Sequence, residues 1–197
     1  SSRVVVQREE HHASPSSSIT NVSTTLQSLL DKMRGTNAAD WKKRISAFDN
    51  VTRWIDEHAR SLTLDGSGDR GSNHLVSLKY ERIVKIFVTS IPDAHHKVTL
   101  SALQALQRLL RLGGPSNTLP LLLSHVFQTL VDPRDTLRDA SNVVLSLMLK
   151  TYDPSDVVLM LVTLLDHTSQ RTRLGCMEFF LHLIPMAGRA LFRPSVM

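Results

Sequence analysis

Apolar positions recur at helical spacing from Ile19 onward, and almost nowhere do they alternate. Leu26, Leu29, Leu30 and Met33 follow one helical face, and "GTN" then stops it. Asp40 stands at the N-cap position of a helix expected from Trp41 to about Arg60. "LDGSGDRGSN", residues 64–73, has no periodicity and reads as an inserted Gly/Ser loop. Helical spacing resumes at about His74 and ends near "IPDAHH". Another helix is expected from roughly His95 to Leu112, where "GGPSN" breaks it. "TLPLLLSHVFQTL" follows, with Pro120 tolerable in a first turn. "DPRD" opens a helix to about Thr151, "YDPSD" interrupts, and Ser155–Leu165 and Gln170–Ile184 complete the series. No segment alternates for long enough to predict a strand.

The helices come in pairs whose second members share a frame. "KRISAFDNVTRW" begins at Lys43, "VTLSALQALQRL" at Val98, "LRDASNVVLSLM" at Leu137 and "TRLGCMEFFLHL" at Thr172. The fourth and fifth positions are small: Ser46–Ala47, Ser101–Ala102, Ala140–Ser141 and Gly175–Cys176. The ninth is apolar (Val51, Leu106, Leu145, Phe180), and so is the twelfth (Trp54, Leu109, Met148, Leu183). Small residues admit close helix approach, and the later apolar ones fill the core. The last three frames recur at roughly 35–40 residues, the period of an α-solenoid built from helix pairs. The 64–73 insertion lengthens the first interval. Arg44, Arg138 and Arg173 occupy the second frame position, as in HEAT repeats. Each is either a contact for a partner or one half of an ion pair with an acidic residue of the adjacent repeat.

Composition narrows the function. The chain has 197 residues, 42% of them hydrophobic, and a net charge of +5, which suits an acidic partner. Its one cysteine, Cys176, permits no internal disulfide, so the chain reads as intracellular. At a small-residue frame position, it reads as a buried packing residue. The longest apolar run, Val157 to Leu165, is too short to cross a bilayer, so no membrane association is expected. No signal peptide is visible, and the first residue is not Met, so the chain reads as a fragment. Residues 1–18 are polar and Ser-rich, a flexible lead-in in which His11 and His12 form no metal site. No catalytic or metal-binding motif is present, which predicts a protein that is not an enzyme and needs no cofactor. At 5% aromatic residues and with no nucleic-acid-binding signature, no nucleic-acid partner is expected.

"DWKKRISAFDNV" resembles the first intra-repeat turn of TOG domains, the tubulin-binding HEAT arrays of microtubule regulators, which place a Trp and then basic residues at the start of a second helix. Trp41, Lys42, Lys43 and Arg44 match it. "DPRDTLRDASNVVLSLML" looks like the third repeat of that family, and "HTSQRTRLGCMEFFLHLI" the fourth. The pattern is most similar to CLASP-type or crescerin-like TOG domains. The likeness covers residues 19–186, with 187–197 starting a further repeat or a tail. It implies an all-α HEAT-repeat solenoid of about four helix pairs. It also implies a non-catalytic tubulin- or microtubule-binding module at the microtubule cytoskeleton of the cytoplasm, with spindle, plus ends or cilium as the candidate places. Other cytoskeletal proteins are further candidate partners. The alternative is a HEAT scaffold that binds another protein without tubulin affinity.

In such a solenoid the intra-repeat turns share one edge. The expected tubulin contacts on it are Trp41, Lys42, Lys43, Arg44, His96, Lys97, Arg134, Arg138, Arg171 and Arg173. Trp41 either anchors a partner there or packs inward as a plug; Trp54 reads as a packing residue. An uncapped C-terminal end predicts self-association through exposed Phe179, Leu183 and Leu191.

Overall fold

A computed structural model describes residues 27–31, 33, 40–59, 70–166 and 169–187, with the backbone alone for 70–77, 116, 154 and 182–187. The expectations for residues 1–18, the "GTN" stop, most of the 64–73 insertion, Thr168, the side chain of Leu183, Leu191 and the final residues lie outside the described set.

Every described amphipathic run forms a helix. We label them α1 Trp41–Glu57, α2 Arg70–Ser90, α3 His96–Leu110, α4 Leu119–Leu130, α5 Asp135–Thr151, α6 Pro154–Leu165 and α7 Gln170–Ala187. A 3₁₀ turn at Ser116–Thr118 precedes α4. Among the described residues there is no strand. The expected boundaries hold within a few residues, except that α2 takes in residues 70–73, the end of the run read as loop. Glycine in a helix costs about 1 kcal/mol. The buried stripe further along α2 (Tyr80, Ile83, Val84, Phe87) outweighs that.

The chain zigzags between two layers. The second helices α1, α3 and α5 pack side by side, α2 and α4 back α3 and α5, and α6 packs on α4 and α7. The frame explains the packing. Val51, Leu106 and Leu145 are fully buried, as are Trp54, Leu109 and Met148 at the next core position. Ala102 and Ser141, at the small positions of the frame, are fully buried.

The fourth pair departs from the frame. α7 packs chiefly on α4 instead of continuing the α1–α3–α5 row. Gly175 permits this: a Cβ there would stand 2.0 Å from the carbonyl oxygen of Phe127. The helix is turned by about one residue, so Phe179 faces inward against Phe127, with ring centroids 5.5 Å apart, and Phe180 is only half-buried. Phe179, expected in the exposed end set, is therefore 6% exposed. The apolar surface of this end is carried by Leu159, Val162 and Leu165 of α6 and Leu174, Met177 and Leu181 of α7.

Behind the layers lies a buried polar knot. The Tyr152 hydroxyl is 2.7 Å from Thr118 Oγ1, and the Tyr80 hydroxyl donates to the carbonyl of Leu109. Gly114 makes room for both phenols; a Cβ there would stand 2.8 Å from each hydroxyl oxygen.

Candidate partner-binding edge

Aspartates set the turns that carry the edge. Asp93 Oδ1 accepts the backbone N–H of His95 at 2.8 Å, and Asp132 Oδ1 accepts that of Arg134 at 3.0 Å. In both cases the bonded N–H belongs to the residue that caps the following helix. Asp153 also accepts from two residues on, Ser155 at 2.7 Å, but there the aspartate is itself the N-cap of α6. Short acceptors of this kind bond their own chain two residues on and fix the turn. The first turn differs. Asp40 holds the N-cap place of α1 but makes no capping bond, and its carboxylate pairs with Lys43 Nζ at 2.9 Å.

Trp41, the first residue of α1, is half-buried, neither a fully inward plug nor a fully exposed ring. It packs against the core margin, and its ring stacks on His95 with centroids 4.2 Å apart and planes 7° from parallel. His95 stacks in turn on His96, at 5.2 Å. Lys42 Nζ and Lys97 Nζ lie 5.6 and 5.4 Å from the Trp41 ring centre, within cation–π range. Trp41, Lys42, His96 and Lys97 are thus brought together, with His95, absent from the expected contacts, as the link. Its placement in the turn "PDAHHK" was visible; its stacking was not.

Arg44 is turned inward. Its Nη1 lies 2.8 Å from Asp93 Oδ2, and its Nη2 donates to Oδ1 at 3.2 Å. The side chains are only 16% and 10% exposed. This is the inter-repeat ion pair that the frame allowed as an alternative to partner contact, and it ties the first turn to the second.

The third and fourth turns meet at Asp132. Arg171 Nη2 reaches its Oδ2 at 3.0 Å, and Arg134 Nη1 lies 3.4 Å from its Oδ1. Arg138 donates to the Asp132 carbonyl at 2.7 Å and pairs with Asp135. Most arginines expected to face a partner thus have acidic companions within the fold. Lys43 is exposed beside Asp40, and Arg173 is half-buried on the first turn of α7. Neither joins the Trp41 stack or the Asp132 group through the contacts described above.

Between the second and third turns lies a depression of about 190 Å³, bordered by Asp93, His96, Asp132, Arg134 and Arg171. A larger groove of about 380 Å³ runs between α1 and α3, lined by Asp49, Thr52, Gln104, Arg108 and Arg111 over Phe48.

Cys176 is fully buried and its Sγ donates to the carbonyl of Leu161 at 3.3 Å. Burial pushes its thiol up to about 11, which suppresses the reactive thiolate. Among the described residues, no cluster of His, Cys, Asp and Glu could hold a metal ion. No described helix is long and apolar enough to cross a membrane.

No protein-family model matches the chain. Over 150 residues, 73% of its length, it is 29% identical to a CLIP-associated protein of Arabidopsis thaliana, of which it spans 9%. A solved chain described by the words "TOG-tubulin binding specificity promotes microtubule dynamics and mitotic spindle formation" superposes with a TM-score of 0.62. The superposition covers 88% of this chain and 66% of that one, at 14% identity, and speaks for the fold. Repeat frame, two-layer packing and the superposition agree on the fold, an all-α HEAT-repeat solenoid like that of the TOG-tubulin chain, and in sequence the chain is similar to a short stretch of a CLIP-associated protein.

Proposed function

We propose that this domain is a non-catalytic tubulin- or microtubule-binding module of a microtubule-dynamics regulator, working at the microtubule cytoskeleton. It contacts tubulin through the turn edge centred on Trp41. The observation that carries this reading is the Trp41 ring, held half-exposed on the edge by His95 and flanked by Lys42 and Lys97. Neither lysine pairs with a carboxylate among the described residues, so their charge is available to an acidic surface such as tubulin's. The TOG-type fold and the likeness to a CLIP-associated protein support the same partner.

The test is cosedimentation and gel filtration with purified tubulin. Lys42→Glu and Lys97→Glu should weaken binding strongly at low salt and little at high salt, because exposed charges are screened over roughly 8 Å at physiological ionic strength. Trp41→Ala should cost roughly 2 kcal/mol of affinity at either salt. Its melting temperature, read on the same sample, separates lost contact from lost fold. Should the parent leave tubulin in the supernatant unbound, the second reading takes over: a HEAT scaffold holding another protein, favoured by the polar groove between α1 and α3.

A further inference from the structure

Two guanidinium groups on the edge share one carboxylate that is nearly out of solvent. The Asp132 side chain is 12% exposed, whereas those of Arg134 and Arg171 are 51% and 49% exposed. A guanidinium carries five donors in a rigid fork. In the contacts described, Arg134 directs Nη1 at Asp132 Oδ1, and Arg171 directs Nη2 at Oδ2. Each half-exposed guanidinium keeps donors toward solvent. Both arginines border the 190 Å³ depression, and so does His96. The depression is the size of one side chain, with an apolar floor of Ile91 and Leu137. The charges facing it are Arg134 and Arg171, both on Asp132, and Asp93, which is already bonded by Arg44.

We propose that Asp132 is a positioning residue: it holds Arg134 and Arg171 as a paired cleft that receives one carboxylate of an acidic protein segment in the depression beside His96. The cleft rests on the geometry. The tubulin reading supplies only the identity of the segment. A carboxylate entering there gains forked hydrogen bonds from groups already immobilised, so little side-chain freedom is lost on binding.

The consequence runs against simple charge counting. Asp132→Asn removes a negative charge from a basic edge, so a surface that acted by net charge alone would bind an acidic partner more tightly. Loss of positioning predicts the opposite. The experiment measures binding of the parent, Asp132→Asn and Arg171→Lys to purified tubulin and, separately, to a hexaglutamate peptide, at low and physiological ionic strength. Both variants are expected to bind tubulin about fivefold or more weakly at either ionic strength, with Trp41 intact. Arg171→Lys keeps the charge and loses the fork, so it decides the matter should Asp132→Asn fold poorly, as judged by melting temperature. Tubulin binding by either folded variant that equals or exceeds the parent's overturns the cleft and leaves the tubulin reading standing. If the parent binds no tubulin, that reading falls and the peptide arm decides alone. Peptide binding that both variants weaken sustains the cleft, and peptide binding that is absent or unaltered overturns it.

Discussion

Arg44 stands at a frame position that resemblance marks for tubulin, yet the fold gives it a structural task, and the two roles predict different losses. The Arg44–Asp93 pair is bidentate, with contacts at 2.8 and 3.2 Å, and both side chains are largely out of solvent. Asp93 also accepts the N–H of His95, which caps α3. Asp93→Ala removes all three bonds at once and leaves the Arg44 charge in a poorly hydrated place. Removing one partner of a buried pair costs about 3–5 kcal/mol. The residual exposure here puts the expectation at the low end, about 3 kcal/mol. In a chain of this size that corresponds to a fall of about 6–12 °C in melting temperature. Arg44→Met keeps the aliphatic bulk and leaves Asp93 its bond to His95, so it should cost less, about 2 kcal/mol. The double variant should then be less damaging than the sum of the two, with a coupling of about 2 kcal/mol. Urea denaturation of the four proteins measures this, provided the slopes agree so that midpoints report stability. Arg44→Met should also leave the affinity of its folded fraction for tubulin near that of the parent. A coupling under about 0.5 kcal/mol would refute the reasoning, since it would mean that the pair is solvated and Arg44 is available to a partner.

Gly175→Ala should destabilise by more than about 2 kcal/mol in thermal melting, although alanine ordinarily gains about 1 kcal/mol over glycine inside a helix, because α7 and α4 must separate to admit the Cβ. Tyr80 and Tyr152 are the only two tyrosines, and burial is the main cause raising both phenols above their ordinary value. Their neutral forms are thus favoured in the fold: the stability they contribute is complete below about pH 10, where unfolded tyrosine titrates, and declines above it. Tyrosinate absorbance should therefore appear together with loss of helical circular dichroism; tyrosinate rising in a still-folded protein would contradict the burial. Leu174, Met177 and Leu181 form a stripe on α7, and the domain should self-associate through it, eluting earlier from gel filtration as concentration rises. A Met177→Glu variant should elute at one position throughout, and a parent that already does so would count against the stripe.

The frame was legible because it records a repeated packing problem. In α3 and α5 a buried small residue is followed by large buried ones four and seven positions on, and α1 keeps the large pair, so local spacing carried the global answer. It failed at α7, where the same small pair served a different crossing. Gly175 let the helix approach α4, and the rotation brought Phe179, not Phe180, into the deeper place. Nothing in the spacing of a single helix reports which neighbour it will choose. The edge was legible in position and not in role. "DWKKR" located Trp41 and its cations. The acceptors that decide which cations turn inward, Asp93 and Asp132, lie 49 residues from Arg44 and 39 from Arg171 along the chain. Those pairings depend on how repeats stack. A local sign did exist: aspartate two residues ahead of the helix-capping position in both turns, which marks a self-bonded turn whose second carboxylate oxygen is available to a neighbour.

The pairing pattern along the edge also has a mechanical side. The first turn is latched to the second by Arg44 and Asp93, and the third to the fourth by Asp132 and Arg171. Between the second and third, no ion pair or hydrogen bond among the turn side chains described above crosses the gap, and the depression lies there instead. The edge is therefore built as two plates with a seam. Bending the array about that seam would change the distance between Trp41 and Arg134 while leaving both latches intact, against an α3–α5 contact as extensive as the α1–α3 contact within the first plate. A partner that grips both plates fixes this curvature, and one that grips a single plate leaves it loose. Two contact points, one on each plate, would thus be brought to a partner's spacing by flexing one joint, without unfolding any helix.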